Sequence, residues 1–143
     1  MTRGWGMTFL MVAGVGLSLA PQKVRAQACN DDLAMVEGSK QALVELKETV
    51  KKESLATFVS LNHQKSAVNK LAIHDNMMGE LVSCLEKAAQ DTTAPKEQAE
   101  AAKTQHDAAA KLLAKIKLER STIKDASTPR TAKTFVENIE LEP

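Results

Sequence analysis

The sequence predicts an all-α protein: an antiparallel helical hairpin plus a third long helix, forming a three- to four-helix bundle behind a cleaved N-terminal signal peptide. Three observations predict it. Apolar residues recur at spacings of three, four and seven through most of the chain. Neither glycine nor proline separates the first two helical runs. The only two cysteines, Cys29 and Cys84, stand at the two ends of that paired stretch.

The opening segment has the three-part pattern of a secretory signal. Arg3 supplies positive charge, Met7 to Ala20 is apolar, and Ala26-Gln27-Ala28 is a small-x-small cleavage site. The apolar run is shorter than the ~20 residues a permanent membrane helix needs, so cleavage is expected before Cys29. The chain then divides into a signal (1–28), a helical bundle domain (29–126) and a short C-terminal helix or tail (127–143). The form of the signal suits a bacterial host and a periplasmic or secreted destination. No later segment is apolar enough to span a membrane.

Removing residues 1–28 takes away three of the 19 basic residues and none of the 18 acidic ones, which leaves a formal charge of −2. Interspersed charge of that size offers no footprint for nucleic acid or for an anionic membrane. Only Phe58 and Phe135 remain as aromatics, too few to stack bases or sugars.

Asn30 to Asp32 provide capping side chains and negative charge for a first helix, whose buried stripe is Leu33, Val36, Leu43, Leu46 and Val50. A second run, Leu55 to Gln90, carries Leu55, Phe58, Val68, Leu71, Met78, Leu81, Val82 and Leu85. One continuous helix would hold the cysteines about 80 Å apart at ~1.5 Å per residue, whereas a disulfide needs Cα atoms roughly 5.5 Å apart. A bonded pair therefore requires a hairpin that reverses near residues 52–59, with Ser54 as cap of the second helix. A reversal at Asn62 to Ser66 competes and leaves the cysteines unpaired.

Asp91 to Glu97 reads as a loop, with Thr92 and Thr93 as caps and Pro95 in a first helical turn. The third helix presents Ala99, Ala102, His106, Ala109, Leu113, Ile116 and Ile123 as a small-residue seam. Thr128 and Pro129 open a short last helix with Phe135, Val136 and Ile139 on one face.

In an exported chain an even cysteine count reads as a structural disulfide, Cys29–Cys84. Lipid attachment at Cys29 is the competing reading, but Ala26 stands where bacterial lipoprotein signals place a branched apolar residue. The hairpin register sets Met35 opposite Met78, and the expected α-helical register of the third helix sets Met78 beside Asp107. Met35, Met78 and His106 would then share one layer with Met77 and His74 close by, a thioether–imidazole set suited to copper or to haem iron. The alternative reading of these residues is gap-filling methionine and a hydrogen-bonded histidine.

The chain has no Cys-x-x-Cys-His, no His-Glu-x-x-His, no Gly-x-Ser-x-Gly and no glycine-rich phosphate loop. The expected protein is accordingly not an enzyme, needs no cofactor, and binds another envelope protein or serves as a subunit of an envelope assembly; homo-oligomerisation is left open. Its candidate contact residues are Leu61, Ile73, Met77, Phe135, Val136 and Ile139, and the alternative function is a metal- or haem-binding bundle.

Overall fold

The computed structural model describes residues 29–142; the signal peptide expected over 1–28 lies outside them. Five helices follow in order, α1 (Asn30–Lys52), α2 (Leu55–Ser60), α3 (His63–Ala89), α4 (Lys96–Lys124) and α5 (Pro129–Glu137), with no strand among the described residues. The all-α bundle is thus the observed fold. Its central element is α3, which packs most extensively on α4 and next on α1, while α5 touches all four other helices.

The residues buried along α1 are the five of the expected stripe, Leu33, Val36, Leu43, Leu46 and Val50. Asp31 and Asp32 sit in its first turn and Lys51 and Lys52 in its last, each matched to the dipole end it faces. The N-cap position itself belongs to Cys29, one residue before the expected cap, and no side chain caps it. Cys29 is bonded to Cys84 with Cα atoms 5.8 Å apart. The pair ties the start of α1 to the last turns of α3 and closes the hairpin.

The chain leaves α1 where Glu53 turns extended (φ −101°, ψ 160°), and Ser54 then accepts the Thr57 N–H at 3.1 Å as N-cap of α2. The second helix is not continuous, as the apolar spacing alone had suggested. It breaks at Leu61–Asn62, where Asn62 takes a left-handed conformation (φ 56°, ψ 46°) that asparagine tolerates better than most residues. The reversal therefore uses both candidate positions, with the six-residue α2 as a crosspiece between them.

After α3, the Asp91 carboxylate accepts the Thr93 N–H at 2.9 Å and the Thr93 hydroxyl at 2.6 Å. This Asx-type turn does the work expected of Thr92 and Thr93 as caps, and Pro95 is the N-cap residue of α4. The buried face of α4 is Ala102, Gln105, Ala109, Leu112, Ile116 and Ile123. Gln105 and Leu112 thus hold the places assigned to His106 and Leu113, and Ala99 is only half-buried.

Thr128 caps α5 by accepting the Thr131 N–H at 3.1 Å, and Pro129 occupies the first helical turn, as the sequence predicts. Ala132 and Val136 of α5, followed by Ile139 and Leu141, enter the same core as α1, α3 and α4. Burial of each large apolar side chain contributes about 1.5–3 kcal/mol, so this last segment is an integral part of the packed unit.

Candidate partner-binding surface

The turn around α2 is built from local chemistry at both of its ends. Glu53, just after α1, and His63, at the start of α3, meet with Oε2 2.5 Å from Nδ1. The His63 ring also packs edge-on against buried Phe58, with centroids 6.2 Å apart. With Phe58 directed inward, the helical spacing of α2 turns its neighbours outward: Val59 is 51% and Leu61 60% exposed.

Two depressions adjoin these residues. A groove of about 310 Å³ is lined by Asn62, Gln64, Lys65, Val68 and Lys124, and a smaller hollow of about 80 Å³ by Phe58, Val59, Asn62, Gln64 and Pro129. Gln64 fixes the floor between them, since its Nε2 donates to the Ile123 carbonyl at 2.8 Å. Among the described residues Lys65 and Lys124 make no ion pair. The two depressions therefore set exposed Val59 beside two ammonium groups that make no ion pair among the described residues, while Leu61, two residues further on, projects from the other flank of the corner. That combination suits a partner segment with an apolar side chain beside a carboxylate.

Of the contact residues suggested by the sequence, Leu61 belongs to this surface. Ile73 is 52% exposed and Met77 is partly buried against the core, both on α3. The hairpin register and helical spacing put them with exposed Met35 along the outer edge of the α1–α3 seam, well away from α2. Phe135 is at the margin of exposure at 37%, but Val136 and Ile139 are fully buried. The last two are core residues and are not available to a partner. The exposed positions of α5 are Pro129, Arg130, Thr134 and Phe135, while Ala132 and Val136 face the core, so most of the apolar spacing there records burial.

The residues of the expected ligand layer are not brought together. Met78 is buried, whereas Met35 on the opposed helix is 54% exposed. His106 lies off the buried face of α4 with Nδ1 3.2 Å from Asp107. Across the α3–α4 seam Gln64 reaches the Ile123 carbonyl and Asp75 pairs with Lys117 and Arg120, so each α3 residue meets α4 somewhat further along than the expected register gives. Among the described residues no cluster of three or more His, Cys, Asp or Glu side chains has the geometry to hold a metal ion.

His74 has a different setting. Ser39 Oγ lies 3.0 Å from the Val36 carbonyl and 2.6 Å from His74 Nδ1; where its proton goes to the carbonyl, Nδ1–H is the donor to the serine oxygen. Nε2 is buried with no hydrogen-bond partner. Burial, and secondarily the positive charge of Lys40, depress the His74 pKa to about 4 against a weaker opposing effect of Asp75. The pair joins α1 to α3 across their seam.

The second buried polar group, Asp75, escapes apolar-pattern reading altogether. It is 6% exposed on α3 and receives Lys117 Nζ at 2.9 Å and Arg120 at 3.2 Å from α4. The signal was an acid one residue from His74 on the same helix, matched by two cations three apart on α4, which is one helical face.

Among the described residues no helix is long and apolar enough to cross a membrane. Neither a protein-family model, nor a curated protein, nor a solved structure matches the chain.

Proposed function

We propose that this chain is an exported, non-catalytic helical protein that binds another envelope protein through the α2–α3 corner. The observation that carries the reading is the exposure of Val59 beside the smaller hollow, with Leu61 exposed on the other flank of the same corner, which Ser54, Glu53–His63 and Gln64 hold in place. Large apolar side chains fixed outward beside a groove are the kind of anchor that dominates protein interfaces. The export half of the reading rests on the signal pattern and on the Cys29–Cys84 bond, which persists in oxidising compartments. The non-catalytic half is supported by the buried polar groups joining helices, with Ser39–His74 linking α1 to α3 and Asp75 linking α3 to Lys117 and Arg120 of α4.

The test places a photo-crosslinking amino acid at Leu61 and, as a control, at exposed Lys103 on α4. Irradiation of cells exporting the protein should give one dominant adduct from position 61 that is absent from position 103. The adduct should disappear when Val59→Glu is added, while thermal melting of that variant stays unchanged. Identical adducts from both positions, or none from 61, would rule out the corner as the contact.

A further inference from the structure

The segment after α5 crosses the bundle in a way that suggests a second binding surface, independent of the α2–α3 corner. Residues 139–142 are not helical, yet Ile139 and Leu141 are 1% and 7% exposed between α1 and α4. Lys47 of α1 donates to the Ile139 carbonyl at 2.8 Å, and Lys40, two turns earlier on α1, pairs with Glu142. From α4, the Glu119 carboxylate accepts the Glu140 N–H at 2.8 Å, and Lys115 lies 3.6 Å from the Glu140 carboxylate and 3.5 Å from the Glu142 carbonyl.

The two repeats match in length. Seven helical residues from Lys40 to Lys47 rise about 10.5 Å at ~1.5 Å each. Three extended residues from Ile139 to Glu142 cover about 10 Å at ~3.3 Å each. The four residues from Lys115 to Glu119 likewise rise about 6 Å, close to the two-residue step from Glu140 to Glu142, about 6.6 Å. The segment runs antiparallel to α1 with alternating burial, Ile139 and Leu141 inward and Glu140 and Glu142 outward toward Lys115 and Lys40, the alternation that an extended chain produces. This is the geometry of a bound peptide that happens to be part of the same chain.

We infer that the α1–α4 groove is a recognition site for an extended peptide of alternating apolar and acidic residues, and that residues 139–142 are its resident, displaceable occupant. The partner would be a protein segment with the same apolar–acidic alternation. Charge complementarity selects it, since Lys40, Lys47 and Lys115 line the rim. The resident segment also leaves the acceptor set unsaturated: Glu119 Oε2 is buried without a hydrogen-bond partner, so a competing backbone has a further donor position to fill. Glu140 and Glu142 are 72% and 61% exposed in their side chains, so their ion pairs add little to the hold on the segment, which rests on buried Ile139 and Leu141 and on the Lys47 and Glu119 bonds to its backbone.

The experiment measures fluorescence anisotropy of a labelled peptide, Glu-Asn-Ile-Glu-Leu-Glu (residues 137–142), against the whole disulfide-bonded protein. Two variants loosen the resident segment: Ile139→Asp with Leu141→Asp, and, touching only exposed side chains, Glu140→Lys with Glu142→Lys. Wild type should bind the peptide weakly, because apparent affinity falls with the fraction of vacant grooves. Each loosened variant should bind at least tenfold more tightly, and adding Lys40→Glu should abolish the gain. A peptide carrying lysine in place of its glutamates should not bind. Equal binding by wild type and variants would overturn the proposal. So would absence of binding by the Glu140→Lys, Glu142→Lys protein with its helical circular dichroism and cooperative melting intact, or equal binding of the lysine peptide.

Discussion

Ser39 Oγ lies 2.6 Å from His74 Nδ1, and the two residues stand ten positions in from Cys29 and Cys84 respectively along opposed helices. One register therefore governs both ties. Ten residues of helix is about 15 Å, so α1 and α3 are clamped covalently at one end and by a buried hydrogen bond near their middle. At the far end Glu53 and His63 make a third tie. Sliding of one helix along the other would break all three, which fixes the frame on which the α2–α3 corner and the α1–α4 groove are built.

The middle tie makes stability depend on pH. His74 titrates near 4 in the folded protein and near its ordinary 6.5 when unfolded. Above pH 6.5 both states are neutral at this residue and its contribution is complete. As pH falls from 6.5 toward 4 the unfolded chain takes up a proton that the folded chain refuses, so stability drops. The loss approaches about 3 kcal/mol below pH 4, at ~1.4 kcal/mol per pKa unit. Glu119 acts in the opposite direction. Burial raises its carboxyl above the ordinary value, so its ionisation penalty is relieved on acidification and offsets part of the loss. Urea midpoints should decline between pH 7 and pH 4.5 in wild type and be flatter over that range in His74→Gln.

Breaking the covalent tie should cost more than any single polar substitution. The Cys29–Cys84 bond closes a sequence separation of 55 residues, which corresponds to about 4 kcal/mol of chain entropy removed from the unfolded state. Cys29→Ser/Cys84→Ser protein should retain its helical circular dichroism but melt at least ~10 °C lower. An unchanged melting temperature would mean that the helix packing alone fixes the hairpin.

Asp75 is expected to be the costliest ionic residue to remove. It is nearly enclosed while its partners reach solvent, with side-chain exposures of 8% for Asp75, 56% for Lys117 and 35% for Arg120. Asp75→Ala removes both charge-assisted bonds across the α3–α4 seam and should lower stability by about 1–3 kcal/mol. Lys117→Ala leaves Arg120 in place and should cost under about 1 kcal/mol. Chemical denaturation of the two variants side by side distinguishes this order from its reverse.

What could be read from the chain follows from which physical signals are local. The α1 stripe, the Ser54 and Thr128 caps and the cysteine pairing follow from spacing, side-chain chemistry and a distance constraint, and all appear in the structure. The sequence offers Asn62 to Ser66 only as an alternative to the reversal near residues 52–59; that both occur is not legible, because no apolar phase change or proline marks Asn62, only a residue tolerant of left-handed backbone. The α3–α4 register has no covalent constraint to fix it, and the sequence pattern leaves it uncertain by several residues, within which fall the Gln64–Ile123, Asp75–Lys117 and Asp75–Arg120 contacts. Val136 and Ile139 illustrate a different ambiguity: an apolar face has the same spacing whether it meets a partner or its own core. Of the six suggested contact residues, Leu61 and Ile73, which fall off their helices' buried stripes, are the two exposed by more than half.

The two glycines within helices give a prediction with the opposite sign. Gly38 lies inside α1 and Gly79 inside α3, both with ordinary negative backbone φ, and a Cβ added at either would meet nothing within 4 Å. Neither position therefore needs glycine for close approach or for a turn. Alanine lowers the backbone entropy of the unfolded chain without a steric penalty in the helix, which stabilises by about 0.5–1 kcal/mol per site. The sites are on different helices and should act nearly additively, so Gly38→Ala/Gly79→Ala should gain about 1–2 kcal/mol in urea denaturation. If Gly38→Ala alone were destabilising, the outer edge of the α1–α3 seam beside Met35 and Ile73 would have to be covered by something, and that face would then become the place to search for a contact.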